Sequence, residues 1–507
     1  MDIKNLIENL ISYSKQKLSL KTDDENLIRN SLLAEFKLNS PELPTEFNGD
    51  LQTDILDPII EYAIKNKLCK KEDALRYETK ILGIVTPMPS AVIAQFDCLC
   101  MRKNTITATD WFFNLSVDNN YIRMIDINKN IIWDHAGPLG NIRVTINLSK
   151  PEKDPKQIAL MKTQAQTNYP KCLLCPSNVG FEGTLTHPAR QTLRIIPIHL
   201  NNENWEFQFS PYQYYDQHLI ALADEHRPMN VDRNCFVRLL NFVEMFKHYF
   251  LGSNAALPIV GGSILTHDHY QGGKKVLPMF LAKERNSYES NTFKKCSIST
   301  LDWYNSVIRI RSKNIDDVVN CADYVLKQWQ DYSDESVNII NFSDGEPHNA
   351  VTPIAHFEEG EFVLDMILRN NRTDEKHPYG IFHPTEDLHN IKKEGIGLIE
   401  AMGTFILPGR LEKEFKLISA YLTGERKIGK ELADTENPLY KHGAMIMQLC
   451  NDYGVNNTED EAFDAITKYV NITCEKILEC TAVFKNTIVG GNAFENFIQN
   501  SLGFITK

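Results

Sequence analysis

The chain has 507 residues, 42% of them hydrophobic and 24% charged, with a formal net charge of −12 and a pI near 5.7. This composition predicts a soluble globular protein of two or more domains of about 100–200 residues each, and its acidity argues against nucleic acid as a partner, which would call for a basic face. No run of about 18 apolar residues occurs, so no membrane span is expected, and 11 irregularly spaced cysteines with no leader-like start predict reduced thiols in a cytoplasm.

In chain order, Ile3, Leu6, Ile7, Leu10 and Ile11 recur at helical spacing and predict an amphipathic helix. "TDDE" at 22–25 predicts a capping box, Thr22 with Glu25, ahead of a second helix. Residues up to about 80 read mainly as helices. "GIVTPMPS" is a turn-rich break, and the aromatic, β-branched "DWFFNLSVDNNYIRMIDINKNIIW" predicts strands and tight turns. A surface linker is expected at "LSKPEKDPKQ" (148–157). The runs "LRIIPIHL", "WEFQFSPY" and "HLIALA" predict strands, "DRNCFVRLLNFVEMFKHYF" a helix, and "EDEAFDAITKYVNITCEKILECTAVF" (459–484) a helical tail. The expected class is α+β. Its segments are a mostly helical region 1–110, two mixed halves 111–280 and 281–430, and a helical tail 431–507.

Nucleotide-binding glycine patterns are missing: the pair Gly273-Lys274 has Asp268 where a phosphate loop needs its first glycine. Chemistry must come from other residues. Cys172 and Cys175 in "CLLC" are spaced so that two thiolates reach one tetrahedral metal, and His226 and His267 could complete it. In "HDHYQ" an extended backbone projects His267 and His269 to one side, about 6.5–7 Å apart. One can be tied to a metal or carbonyl while the other, neutral and held in one tautomer, attacks phosphorus. Gln271 adds an uncharged donor for phosphoryl oxygens. The segment 370–403 is dense in Arg, His and Lys; standing alone it reads as a charged loop and a solvated helix start.

Together and in order, "GIVTPMPS", "ATDWFFNLSVDNNYIR", "INLSKPEKDPK", "YPKCLLC", "HPARQTLRIIPI", "FSPYQYYDQH", "EHRPM", "PIVGGSILTHDHYQGG", "NRT" with "HPYGIFHP", and "IKKEGIGLIEAMG" resemble the second class of galactose-1-phosphate uridylyltransferases, typical of low-GC Gram-positive bacteria. The first class, in the histidine-triad superfamily, has "HPHxQ" where this chain has "HDHYQ". The resemblance implies that His269 is the uridylylated nucleophile and Gln271 the residue that steadies it, with Cys172, Cys175, His226 and His267 at structural zinc positions. It further implies substrate-binding roles for Arg190, Arg194, Lys274, Arg372, His383, Lys393 and Glu400, the last toward hexose hydroxyls. Asp268 between the histidines departs from the first class and is expected to alter charge around the nucleophile. Pro197 falls near the uridine-binding asparagine of that class, so no uridine contact is assigned, and Thr184 stands where an arginine is expected, which removes one phosphate contact.

The implied fold is two histidine-triad-like halves, antiparallel sheets with packed helices, flanked by helical N- and C-terminal segments. The implied reaction moves UMP from UDP-glucose to galactose 1-phosphate through a uridylyl-histidine, with no organic cofactor, and the resemblance allows a homodimer. Two rival readings use the same residues. One is a nucleotidylyl hydrolase or dinucleoside-polyphosphate phosphorylase of the superfamily, and the other a non-catalytic nucleotide-sugar binding protein.

Overall fold

The structure, a computed structural model, describes residues 2–507 except 150–168, Leu185 and Ser263, so most of the linker expected at 148–157 lies outside the described residues. The chain divides into two compact units. One comprises Met1–Ile125, Lys153–Gln213 and Gln217–Arg227, the other Asp126–Glu152, Tyr214–Asp216 and Pro228–Lys507. Both combine helices with antiparallel strands, as the α+β reading expects.

In the first unit the opening helix runs Ile3–Lys17, capped by the Asp2 side chain, and buries Ile3, Leu6, Ile7, Leu10 and Ile11. The capping box expected at Thr22 does not form. Residues Thr22–Asp24 make a 3-10 turn, and the helix Glu25–Glu35 starts with no side-chain cap. The Glu25 carboxylate is drawn away from the backbone, to Arg29 at 2.7 Å and Lys15 at 2.9 Å.

A second correction concerns "DWFFNLSV". Instead of strands the chain forms helices Pro89–Arg102 and Thr105–Asp118, the latter capped by Asn104, and strand begins only at Ile131. Aromatic and β-branched content favours strands as a weak prior, and tertiary packing overrides it here. Ala108, Phe112 and Leu115 fall on one helical face, where Phe112 packs against Phe207 and Phe209 with ring centroids 5.5 and 5.3 Å apart. Those two rings come from the predicted strands, Ile196–Leu200, Glu203–Phe209 and Leu219–Ala223, which pair antiparallel in that order. Trp205, Phe207 and Phe209 alternate onto the core face and are fully buried.

The second unit holds a three-stranded sheet, Ile131–Gly137 beside Gly140–Asn147 beside Thr404–Pro408, the last pair parallel. Its larger sheet runs in spatial order Ile505–Thr506, Glu284–Glu289, Ser297–Leu301, Val307–Ser312, Glu361–Asn370, Asn349–Glu358, Tyr249–Gly252 and His269–Lys274. Helices Arg233–Met245 and Ile315–Gln330 pack against it. An apolar core joins Phe250, Phe280, Trp303, Ile354 and Ile367 to the helices Arg410–Leu422, Gly443–Tyr453 and Glu459–Thr481. The predicted helical tail is thus packed structure, and a capping box of Thr458 with Glu461 starts its longest helix.

One buried carboxylate ties the helix Arg410–Leu422 to the turn Tyr440–His442 that leads into Gly443–Tyr453. Glu414 accepts from Lys441 Nζ at 2.6 Å and pairs with His442 Nε2 at 3.0 Å and with Arg410. Burial alone would push its carboxyl up, but the His442 and Lys441 hydrogen bonds and the Arg410 charge outweigh it and hold it at about 2 against an ordinary 4.5. A folded-state value below the unfolded one gives stability that is present above the unfolded value and lost as pH falls through the folded one. Glu414→Gln should therefore flatten the loss of thermal stability between about pH 5 and pH 2. Melting curves across that range with equal slopes for both proteins would contradict this assignment.

Candidate active site

The "HDHYQ" strand starts at His269, and residues 265–267 turn ahead of it, so His267 lies on a bend. The two histidines therefore do not stand as a same-side pair on one extended stretch, as the sequence reading expects. Gly272 and Gly273 sit inside the strand, opposite Leu251 and Phe250. The bend brings the two histidines into a different relation: His269 Nδ1 lies 2.8 Å from the His267 carbonyl oxygen. A carbonyl can only accept, so Nδ1 carries the proton and Nε2 the lone pair. His269 is 5% exposed, and burial lowers its pKa to about 4, which keeps the ring neutral at pH 7.

Alternation along the strand sends Asp268 and Tyr270 to the opposite face. There Arg238, from helix Arg233–Met245, donates to the Tyr270 hydroxyl at 3.2 Å and lies 3.8 Å from the Asp268 carboxylate. The Asp268 carboxylate thus has a cationic neighbour behind the strand.

Gln271 shares the His269 face. Across the sheet it pairs with Gly252, Gly252 with Ile354, and Ile354 with Asp365, so these residues form one row. A Cβ on Gly252 would come within 2.4 Å of Leu398 Cδ1 and 3.0 Å of the Pro353 carbonyl oxygen, so the bare backbone there lets Leu398 approach. The loop and short helix holding Leu398 and Glu400 thereby lie against the row, and the Asn254 side chain fixes them by accepting from Leu398 N–H at 2.8 Å. Glu400 is paired at 3.1 Å with Lys392, whose buried ammonium also donates to the Ile406 carbonyl at 3.1 Å.

The other expected site residues are placed as follows. Lys393 lies over the Tyr379 ring at 5.3 Å, so Lys392 is the lysine that joins Glu400. Arg372 donates to the Asn338 carbonyl. His383, buried, has Nδ1 on the Pro384 carbonyl at 3.1 Å, and burial lowers its pKa. Lys274 ion-pairs with Asp216 at 3.3 Å and by alternation shares the face of Tyr270. In the first unit Arg190 covers the Tyr121 ring at 5.7 Å. The buried Arg194 donates to four carbonyls, those of Thr86, Pro87, Gln191 and Leu193, and so clamps the "GIVTPMPS" break.

Sequence reasoning passed over Asn254 and Lys392. Asn254 carries no motif at all, whereas the adjacent lysine pair in "IKKEG" is a visible signal that does not say which of the two meets Glu400.

The first unit also supplies sulfur ligands. Cys172 Sγ and Cys175 Sγ are 3.5 Å apart, too far for a disulfide, and Cys175 Sγ is 3.1 Å from His226 Nδ1. Asn178 Nδ2 donates to both the Cys172 and Cys175 carbonyls at 2.8 Å and holds the loop. Burial and the neighbouring Cys172 push the Cys175 thiol up to about 11, a penalty on the thiolate that a bound cation would remove. Within this unit Cys172, Cys175 and His226 bring their ligand atoms within 4.8 Å of one another and could hold a metal ion, while His267, in the other unit, is fully buried. Two sulfurs and an imidazole suit zinc.

The site thus holds a neutral buried imidazole with its tautomer fixed and an amide two residues on, groups that could serve an enzyme of group transfer. Comparison with known proteins gives the family. Residues 16–228 match the galactose-1-phosphate uridyl transferase N-terminal domain and residues 242–433 the C-terminal domain. The galactose-1-phosphate uridylyltransferase of Caldanaerobacter subterraneus subsp. tengcongensis is 44% identical, covering 98% of this chain and 97% of its own length. Those of Fusobacterium nucleatum and Bacillus subtilis are 43% and 42% identical, covering 99% and 98% of this chain and the same shares of their own. Among solved structures the yeast Ap4A phosphorylase Apa2 is similar with a TM-score of 0.36 and 12% identity, over 67% of this chain and 95% of that one. The chain belongs to the galactose-1-phosphate uridyl transferase family.

Proposed function

We propose that the chain transfers UMP from UDP-glucose to galactose 1-phosphate through a uridylyl group held on His269. The observation that carries the reading is the hydrogen bond from His269 Nδ1 to the His267 carbonyl, which leaves Nε2 as the nucleophile. In the first displacement Nε2 bonds to the α-phosphorus of UDP-glucose, the bond from that phosphorus to the bridging oxygen breaks, and glucose 1-phosphate leaves. In the second a phosphate oxygen of galactose 1-phosphate bonds to phosphorus, the P–N bond breaks, and UDP-galactose leaves with His269 neutral again. Gln271 steadies the nonbridging oxygens with an uncharged donor, which does not trap the intermediate as a cation would. Asn254 fixes the segment that carries Glu400 and Lys392 against the same sheet face, which supports a role for that segment toward the sugar phosphate. The enzyme so described fits a cytoplasmic setting, since all 11 cysteines are free thiols.

The test is a coupled assay for UDP-galactose from UDP-glucose and galactose 1-phosphate, with label exchange between UDP-glucose and glucose 1-phosphate when galactose 1-phosphate is left out. Hydrolysis of UDP-glucose without exchange would sink the reading.

Zinc belongs to the same reading as a structural ion. Cys172, Cys175, His226 and His267 would hold it with all four positions filled by protein, so it would brace these loops and leave the chemistry to the imidazole. Elemental analysis should give about one zinc per chain. Cys175→Ser should lose the metal and much thermal stability while the uridylylation site itself remains intact in the residual folded protein. Full activity in demonstrably metal-free protein would overturn the bracing role.

A further inference from the structure

Arg369 lies on the strand Glu361–Asn370 at a position that the motifs did not single out. It pairs with Ala350, four residues beyond Asp365 on the same strand, and so shares the sheet face of Asp365 and of Gln271 and His269. The residue is 1% exposed. Its NH2 donates to the Ile396 carbonyl at 2.7 Å, on the loop that leads into Glu400. Its NH1, also buried, has no hydrogen-bond partner among the described residues.

A buried guanidinium with an open donor is costly unless something negative meets it. The neighbouring charges do not supply enough. Burial pulls the guanidinium down to about 10 and Glu400 opposes this, yet Glu400 already pairs with Lys392 at 3.1 Å. Asp365, the acid on the same strand and face, is taken by two guanidinium nitrogens of Arg309, Nε and Nη2. His383, which senses the Arg369 charge, is held neutral by burial and by its cationic neighbour. Two buried cations, Arg369 and Lys392, thus share one carboxylate, and the surplus is a positive charge beside a donor that points at no protein group. The loop in front is made to approach closely: a Cβ on Gly397 would meet Asn254 Oδ1 at 3.0 Å, and one on Gly395 would meet the Ile259 carbonyl at 2.6 Å.

We infer that Arg369, with Lys392, binds the phosphate of the sugar 1-phosphate, while Glu400 beside them meets neutral hydroxyls of the same ligand. This rests on the transfer reading above and names the anion contact that it needs. A guanidinium suits the task because its planar fork can keep Ile396 on one nitrogen and give the other to a phosphate oxygen.

Titration of the purified full-length protein with galactose 1-phosphate, galactose and inorganic phosphate, read by thermal shift, tests the anion contact apart from turnover. In the wild type galactose 1-phosphate and phosphate should raise the melting temperature and galactose should not. Arg369→Lys, which keeps the charge and loses the fork, should weaken galactose 1-phosphate binding by about 10-fold or more and raise its KM similarly. Arg369→Met should abolish the shift. An arginine that only holds the Ile396 loop would instead lower the melting temperature of the ligand-free protein and leave affinity unchanged in Arg369→Lys, and that outcome overturns the proposal. If neither variant folds, a crystal structure of the wild type with galactose 1-phosphate decides: the phosphate within hydrogen-bonding reach of Arg369 supports the proposal, and a phosphate bound elsewhere overturns it. Wild-type protein that binds the sugar phosphate through Arg369 and forms no UDP-galactose would remove the transfer reading and leave the anion site standing.

Discussion

Replacing His269 with glycine should lower transfer from UDP-glucose by about 10,000-fold or more, because loss of a covalent nucleophile removes the route and not merely a contact. The structure supports His269 over His267 on two grounds. The Nδ1 proton of His269 is held by the His267 carbonyl, and burial keeps the ring neutral, so its Nε2 lone pair stands ready at physiological pH. His267, by contrast, is fully buried on the bend and is a metal ligand in the reading proposed above. A ring nitrogen bound to a metal has given up the lone pair that attack on phosphorus needs. Glycine at 269 leaves a cavity the size of an imidazole, so added imidazole, or a preformed uridylyl-imidazole, should restore part of the rate. Mass spectrometry of wild-type protein incubated with UDP-glucose alone should map a UMP adduct to His269. An adduct on any other residue refutes the assignment, as would a His269→Gly variant that still turns over.

The largest stability effect should come from the buried pair under the same sheet face. Asp365 is fully buried and Arg309 is 2% exposed; their two hydrogen bonds are 2.6 and 2.8 Å long, and His356 Nε2 stands 3.4 Å from the same carboxylate. Burial alone would raise the Asp365 carboxyl, but the Arg309 charge and hydrogen bonds hold it well below the ordinary carboxylate range. Arg309→Met should therefore cost about 3–5 kcal/mol at pH 7, the penalty of leaving a buried carboxylate without its partner. The pH dependence should invert. In the wild type the Asp365 contribution is present above its unfolded value and lost in acid. In Arg309→Met burial is opposed only by His356, the folded value rises above the unfolded one, and stability should recover as pH falls. Arg309→Met with Asp365→Leu should regain most of the loss, since no charge then remains to desolvate. Urea denaturation of the three proteins at two pH values checks this, and a single-variant loss below about 1 kcal/mol would show the pair to be ordinary.

Much of the site follows from local order along the chain. The spacing in "HDHYQ" puts Gln271 on the face of His269 through the period of two of a strand, whichever strands lie beside it. "CLLC" is near enough in sequence to gather two sulfurs in one loop, and the runs from "LRIIPIHL" to "HLIALA" carry their strand pattern in their own alternation. What fails is whatever depends on distant partners. The helix Thr105–Asp118 carries strand-like residues, and the rings of Phe207 and Phe209, nearly a hundred positions on, decide its form. Thr22 has the right spacing for a cap, but Arg29 and Lys15 compete for Glu25. Lys392 and Lys393 are chemically identical neighbours, so no pattern tells them apart. The Ile406 carbonyl and Glu400 take the first into the interior, while the second stays over the Tyr379 ring. Arg369 resembles any strand arginine until its neighbours are placed. Only the tertiary structure shows that its charge exceeds what they compensate, because electrostatic balance belongs to the residues gathered around a group and not to its place in the chain.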